Sequence, residues 1–194
     1  PGSQRYSMPY DAGYMSLAGR TLAVAVRGSC WIIDAATGQV VRKIPVPGPP
    51  GTTDMHWGYA ALVGRRLLGS VQRADASRTE PGRTQIEVDF RSGQPMVVSE
   101  GLFAMAPTGG RPHWHYRPKG AVINATVTVA GGHVYFVEAR NSATLAAQAK
   151  SGRIAAHVML GSDAYLVALD AVTGEPRWEQ PLSEHMRGST NIIF

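Results

Sequence analysis

Near its C-terminal end the chain contains the segment Ala168-Leu169-Asp170-Ala171-Val172-Thr173-Gly174-Glu175-Pro176-Arg177-Trp178. The apolar residues before Asp170 predict a strand, and the Asp-x-x-Thr-Gly pattern predicts a tight turn. An aspartate side chain accepts hydrogen bonds from backbone amides two residues further on, and Gly174 tolerates a positive φ. A second strand opens at Pro176. The segment therefore predicts an antiparallel hairpin.

A second copy of this segment lies near the N-terminal end, at residues 31–41. Asp34, Thr37 and Gly38 stand at the same spacing as in the first segment, again after an apolar run. Repetition of a turn together with its flanking strands indicates an internal repeat.

A third, degraded copy covers residues 102–114. It lacks the aspartate, has one residue fewer before Thr108 and has one more between Gly109 and Trp114. Residues 89–95 are a rival for this middle copy, with serine in place of threonine. If the rival is the true copy, the boundaries of the repeats shift.

A further hairpin precedes each copy, at residues 17–24, 62–69 and 129–136. Each shows apolar alternation on both sides of a glycine turn, which indicates two antiparallel strands. Two hairpins per repeat make four strands, which is the blade of a β-propeller. We therefore predict an all-β fold, a partial β-propeller of about three four-stranded antiparallel blades with inserted loops.

The spacing of the repeats predicts where the blades and their insertions lie. The expected blades are residues 14–47, residues 57–118 with an insertion at 71–95, residues 121–182 with an insertion at 141–162, and the start of another blade at 188–194. The first insertion is expected to be a loop or an extra hairpin. The second is expected to hold a short helix capped by Ser142 and ended by Gly152. Because known propellers have about four to eight blades, three blades cannot close a ring, and the chain is expected to be a fragment.

The pattern Ala-x-Asp-x-x-Thr-Gly-x-x-x-Trp at residues 168–178 resembles the tryptophan-docking motif of the pyrroloquinoline-quinone-like (quinoprotein alcohol dehydrogenase-like) β-propeller repeat family. Residues 32–42 match less fully, with Ile32 for alanine and Arg42 for tryptophan. The resemblance implies that Trp114 and Trp178 pack between neighbouring blades, each with its indole N–H on a backbone carbonyl. The implied structural docking residues are Asp34, Thr37, Gly38, Trp114, Asp170, Thr173, Gly174 and Trp178.

Two groups of residues are candidates for chemistry. Asp54, His56 and Trp57 precede the expected first strand of a blade, where loops line the end of a propeller channel, so they form a candidate ligand loop. The alternative is a structural loop anchored by Trp57. His113 and His115 are two apart on one strand face, but no third ligand is placed by the sequence, so we predict no metal site.

Composition and charge argue against some classes of function. The net charge is +5, but the basic residues are scattered, which does not favour nucleic-acid binding, and no apolar run is long enough to span a membrane. Dehydrogenases of the resembled family use Ca²⁺, a catalytic carboxylate, a stacking tryptophan and usually a vicinal disulfide. Cys30 is the single cysteine, so that disulfide cannot form, and no Asp or Glu is assigned the catalytic role.

The sequence therefore favours a non-catalytic scaffold over an enzyme. The expected ligand is a protein, peptide or glycan, or further blades of the same protein, with no cofactor in this chain. The alternative is a fragment of a quinone-dependent alcohol or sugar dehydrogenase that uses pyrroloquinoline quinone (PQQ) and Ca²⁺. The resemblance suggests the bacterial periplasm or cell envelope.

Overall fold

The computed structural model of the chain describes residues 14–48, 54–76 and 95–182 and is nearly all β. Within these ranges it contains fourteen strands and two short α-helices, and the paired strands are antiparallel. The predicted all-β fold class is confirmed.

The first blade is a separate four-stranded sheet. Its strands run in chain order across the sheet: β1 (Met15–Ala18), β2 (Thr21–Val26), β3 (Ser29–Asp34) and β4 (Val40–Pro45). The turn from Asp34 to Gly38 joins β3 to β4. Alternation along β2 and β3 buries Ala23 and Ile32 on one face, against the second blade.

The second blade consists of β5 (Met55–Val63), β6 (Arg66–Arg73), β7 (Pro95–Met105) and β8 (Trp114–Tyr116). β5 begins at Met55, ahead of the predicted start at residue 57. β6 extends through Arg73, so three strand residues lie inside the predicted insertion 71–95. Residues 74–76 form a 3-10 turn, and residues 77–94, which include nearly all of the rival repeat at 89–95, lie outside the described residues.

The third blade consists of β10 (Thr128–Ala130), β11 (His133–Ala139), β13 (Ala164–Asp170) and β14 (Pro176–Pro181). A further strand, β9 (Ala121–Ile123), pairs with β7 of the second blade and with β11 of the third. The second and third blades are therefore parts of one ten-stranded sheet, which the repeat pattern did not predict.

The insertion at 141–162 differs from its prediction. It holds α1 (Ser142–Gln148), β12 (Arg153–Ala155) and α2 (Ala156–Leu160) rather than one helix. The helix cap is Asn141, not Ser142: its Oδ1 accepts the backbone N–H of Thr144 at 2.8 Å. Asn141 is held at the cap position because its Nδ2 also donates to the carbonyls of Val158 and Ser162, which follow β12. The helix ends at Gln148, four residues before Gly152.

Three apolar clusters hold these elements together. The first lies between the first and second blades, the second between the second and third blades, and the third beneath β7, β9 and β11, where α2 and β12 cover the sheet. Cys30 belongs to the first cluster, and burial raises the pKa of its thiol to about 12. The blades are thus joined face to face by apolar side chains.

A buried polar cluster ties β9 to the second blade. Asn124 begins a short 3-10 turn after β9, and its Nδ2 donates to the carbonyl of Gly58 at 2.9 Å. Its Oδ1 accepts from Ser70 Oγ at 2.9 Å, and Ser99 Oγ donates to Ser70 Oγ at 2.8 Å. A Cβ on Gly58 would lie 2.6 Å from Ser70 Oγ, so only glycine fits here.

The two implied docking tryptophans differ in burial. Trp114 is 8% exposed, and its Nε1 donates to the carbonyl of Ala171 in the third blade at 3.3 Å. Trp178 is 44% exposed. Any blade on which Trp178 packs would follow Leu182, and those residues, including the predicted strand at 188–194, lie outside the described ranges.

We expect Trp114→Ala to lower the free energy of unfolding by about 3–5 kcal/mol, because truncation empties a buried space between two blades. His115→Ala, on the same strand but exposed, should change it by no more than about 0.5 kcal/mol. Denaturant midpoints of the two variants measure the difference. Equal shifts would show that the Trp114 ring does not hold the blades together.

Candidate functional site

The structure corrects the predicted ligand loop. Only Asp54 precedes β5, whereas His56 and Trp57 lie within the strand. Trp57 is 3% exposed, and its ring meets the Phe103 ring edge-on at 4.9 Å in the core between the first two blades. It is therefore a core residue of β5 and not part of a loop. His56 is half-buried, and burial together with the charge of Arg27 lowers its pKa.

The two repeated aspartates organise turns. Asp170 Oδ1 accepts the backbone N–H groups of Val172 at 2.8 Å and Thr173 at 2.9 Å, and its Oδ2 accepts from Arg177 at 2.7 Å. The hydrogen bond from Arg177, together with these amides, holds the pKa of Asp170 well below its usual range. Asp34 makes the same pair of backbone contacts in the first blade. Both carboxylates are occupied by turn formation.

A β-bulge in β7 produces a candidate site that the sequence did not predict. Val71 of β6 pairs with Gly101 and Gln72 pairs with Ser99, so Glu100 is an extra residue without a partner on β6. Bulges re-aim side chains, and they are frequent beside functional sites. Glu100 lines two adjoining depressions of the surface. Nothing in the local sequence marks this register shift.

The larger depression has a volume of about 530 Å³ and lies between the end of the first blade and the outer edge of the second. Arg111, His115 and Arg117 line it together with Glu100 and Tyr116. The imidazole of His115 has a lowered pKa, first because it is partly desolvated and then because of the charge of Arg117.

The smaller depression, of about 370 Å³, lies on the other side of Glu100. Arg73, Lys119 and the α1 residue Leu145 line it. We name the two depressions together the Glu100 cleft. Its described lining has four cationic side chains, on Arg73, Arg111, Arg117 and Lys119, and one carboxylate, on Glu100. Arg73 is paired with Asp75 at 3.1 Å and Lys119 with Glu179 at 2.9 Å. The positive charge that attracts anions to the cleft therefore comes from Arg111 and Arg117.

A chain of charged groups supports the cleft from behind. Tyr116 Oη donates to Glu138 Oε2 at 2.9 Å, and Glu138 is fully buried. Arg140 donates from Nε to Glu138 Oε1 at 3.0 Å and from Nη1 to Glu179 Oε2 at 2.8 Å. Lys119 Nζ also reaches Glu179, at 2.9 Å. Burial and the Glu138 carboxylate raise the pKa of Tyr116, which stays protonated and donates.

No metal-binding arrangement is formed within residues 14–48, 54–76 and 95–182. In these ranges no three His, Cys, Asp or Glu side chains converge as ligands, and the pair His113 and His115 gains no third member. No helix in the described part of the chain is long and apolar enough to span a membrane.

Comparison with known proteins shows the fold. No family model matches the sequence, and no curated protein matches it. Among solved structures, the chain is similar to the WD40 domain of Pan2 from Neurospora crassa, at 13% identity over 87% of this chain with a TM-score of 0.50. It is also similar to the quinohemoprotein alcohol dehydrogenase from Comamonas testosteroni, at 14% identity over 86% of this chain with a TM-score of 0.52.

A europium-containing methanol dehydrogenase is similar at 13% identity over 87% of this chain, with a TM-score of 0.51. The chain covers 39% of the Pan2 chain, 27% of the alcohol dehydrogenase and 32% of the methanol dehydrogenase. At this level of identity the likeness shows a partial β-propeller, as predicted.

We expect the contribution of Glu179 to stability to depend on pH. The bonds from Arg140 and Lys119 lower its pKa from 4.5 to about 2 in the folded chain. A depressed carboxyl pKa stabilises the fold above the unfolded pKa, and this stabilisation is lost as the pH falls through the folded pKa. Glu179→Gln should therefore be destabilising at neutral pH, by an amount that shrinks between about pH 4.5 and pH 2.

Denaturant midpoints of wild type and Glu179→Gln across this pH range provide the test. Glu175→Gln removes an exposed carboxyl from the same hairpin and serves as the control. A wild-type advantage over Glu179→Gln that stays constant with pH would contradict the assignment of the Arg140 and Lys119 bonds.

Proposed function

We propose that the protein is a non-catalytic β-propeller scaffold that binds an acidic segment of a protein or peptide in the Glu100 cleft. The observation that carries this proposal is the bulge at Glu100. It places one carboxylate at the junction of two depressions whose other charged side chains are cationic.

The chemistry of the cleft suits a ligand that carries carboxylates. The guanidinium groups of Arg111 and Arg117 can each hold a carboxylate through two parallel hydrogen bonds. Glu100 supplies an acceptor between them for a peptide N–H. A protein, a peptide and a glycan all fit a propeller scaffold, but a neutral glycan makes no use of the charges of Arg111 and Arg117. We therefore favour the acidic peptide.

The support behind the cleft favours binding with little rearrangement. Tyr116 and Lys119 line the two depressions, and the chain of bonds through Glu138, Arg140 and Glu179 holds both in place. Side chains fixed before a ligand arrives lose less conformational entropy on binding. The cleft is thus preorganised on the side of the third blade.

Four of the described carboxylates are not available as a general base. Asp34 and Asp170 hold turns, whereas Glu138 and Glu179 are joined to Arg140. A general base must be able to reach a substrate proton. These four acids are instead used to build the blades. On the resemblance of its repeats, we place the protein in the bacterial periplasm or cell envelope.

A fluorescein-labelled hexaglutamate peptide tests the proposed site. We expect the double variant Arg111→Gln/Arg117→Gln to bind it about tenfold more weakly, since two exposed charge pairs are each worth up to about 1 kcal/mol. Binding to wild type should weaken as salt is added, because exposed charges are screened. Fluorescence anisotropy at two salt concentrations measures both effects.

Arg65→Gln is the matched control, because Arg65 is an exposed arginine in the turn between β5 and β6 and does not line the cleft. Equal weakening by Arg65→Gln would mean that the peptide responds to overall charge. Wild type that fails to bind the peptide at low salt would also overturn the proposal.

We expect the chain to bind neither PQQ nor Ca²⁺. Cys30 is the single cysteine and is buried, and a quinone on a propeller axis takes its contacts from several blades around that axis. The measurement is the absorbance of added PQQ with Ca²⁺, together with dye-linked alcohol oxidation. Micromolar binding with turnover would make a quinone-dependent dehydrogenase the better description.

A further inference from the structure

We propose that His115 is a third anion-binding group of the Glu100 cleft, and that protonation of its imidazole makes the cleft bind an acidic peptide more tightly as the pH falls. The inference rests on the proposed function, because its ligand is the acidic peptide proposed above, and it adds control of that binding by pH. It is carried by the place of His115 in the sheet and by the charges that surround it.

His115 is held at the larger depression by the second blade. It lies in β8 and pairs with Phe103 of β7. The imidazole and the Phe103 ring are 6.1 Å apart between centroids. Phe103 is fully buried in the core between the first two blades, so its ring is fixed in place. The imidazole therefore has an apolar ring on the side of the core, while His115 remains exposed at the depression.

Three charged side chains line the larger depression beside His115. Arg117 follows β8, Arg111 comes from the loop between β7 and β8, and Glu100 is the bulged residue of β7. Two guanidinium groups and one carboxylate leave a formal charge of +1 when the imidazole is neutral, and of +2 when it is protonated. Protonation of this one group therefore doubles the charge that a carboxylate ligand meets.

The other described walls of the larger depression are uncharged. The first blade and the strands β5 and β6 contribute Pro47, Gly48, Met55 and Val71. Tyr116 lines the depression too, but its hydroxyl stays protonated and donates to Glu138. Asp54 and His56 stand on either side of Met55 in the chain and do not line the depression. Residues 49–53 contain no ionisable side chain. His115 and Glu100 are therefore the groups of this lining whose protonation changes its charge.

The neutral form of His115 is favoured in the free cleft. Partial burial, and then the charge of Arg117, lower the pKa of the imidazole from its usual 6.5. A bound carboxylate acts in the opposite direction, because a nearby opposite charge favours the protonated ring. Binding of the peptide should therefore raise the pKa of His115. By linkage, protonation of His115 tightens binding by the same factor, so affinity rises as the pH falls through the pKa of His115.

A hexaglutamate peptide labelled with a rhodamine, whose emission is insensitive to pH in this range, tests the inference by fluorescence anisotropy. We expect the dissociation constant of wild type to be about threefold lower at about pH 5.5 than at about pH 7.5, as suits one added exposed charge contact. The glutamates of the peptide titrate near about 4.3, and their protonation only weakens binding. The peptide itself therefore cannot produce the expected gain.

His115→Gln keeps a polar side chain that cannot become charged. It should bind like wild type at about pH 7.5 and should show no gain at about pH 5.5. His113→Gln is the matched control, because His113 is an exposed histidine two residues away that lines neither depression, and it should keep the gain. A gain that persists in His115→Gln would assign the effect to another group, such as Glu100, and overturn the inference. So would a gain lost equally in His113→Gln.

The reciprocal measurement follows the imidazole itself. Two-dimensional NMR of the histidine side chains gives the pKa of His115 with and without the peptide, and the His115 signals are identified by their absence in His115→Gln. A threefold gain corresponds to a rise of about 0.5 in this pKa on binding. Wild type that binds equally at both pH values, with an unchanged pKa of His115, overturns this inference alone. Wild type that binds the peptide at neither pH overturns the proposed function as well.

Discussion

The architecture depends on one contact: an indole from one blade that rests on a glycine turn of the next. The Asp170 side chain fixes the turn by accepting hydrogen bonds from two backbone N–H groups. This turn requires a positive φ at Gly174. The missing Cβ leaves room for Trp114, whose N–H finds the carbonyl of Ala171. Each residue of the motif thus has a physical reason, and together they set the spacing at which the apolar faces of the two blades meet.

The Glu100 cleft follows from how the second and third blades are joined. β9 pairs with both β7 and β11. The start of β7 must therefore bend away from the direction that β7 has within the second blade. The extra residue at Glu100 makes that bend, and the Ser70–Ser99–Asn124 cluster locks the backbone on either side of it. The site is a consequence of the junction: the carboxylate is aimed outward because the strand has to change its partner.

Local features were predictable from the sequence, and features that depend on distant pairing were not. The turns at Asp34 and Asp170 follow from residues within five positions of each other. The strand β9 and the bulge at Glu100 depend on which strands pair in space. The alternation of apolar and polar residues along the sequence does not indicate that pairing. The cap of α1 shows the same limit, since Asn141 displaces Ser142 through bonds to carbonyls after β12. Trp57 was placed in a loop because the start of β5 was set too late.

The two junctions between blades differ in how well their polar groups are satisfied. At the first junction, between the first and second blades, Arg42 occupies the position that Trp178 has in its own repeat, and Arg42 is exposed. The buried ring between these two blades is instead Trp57, which comes from β5. The buried Nε1 of Trp57 has no acceptor among the described residues, whereas Trp114 Nε1 has one. An unsatisfied buried N–H costs about 1–3 kcal/mol. The first blade is also not fused to its neighbour by a shared strand, as the other two are. Local opening should therefore begin at the first junction, where the buried apolar cluster is also the smaller of the two.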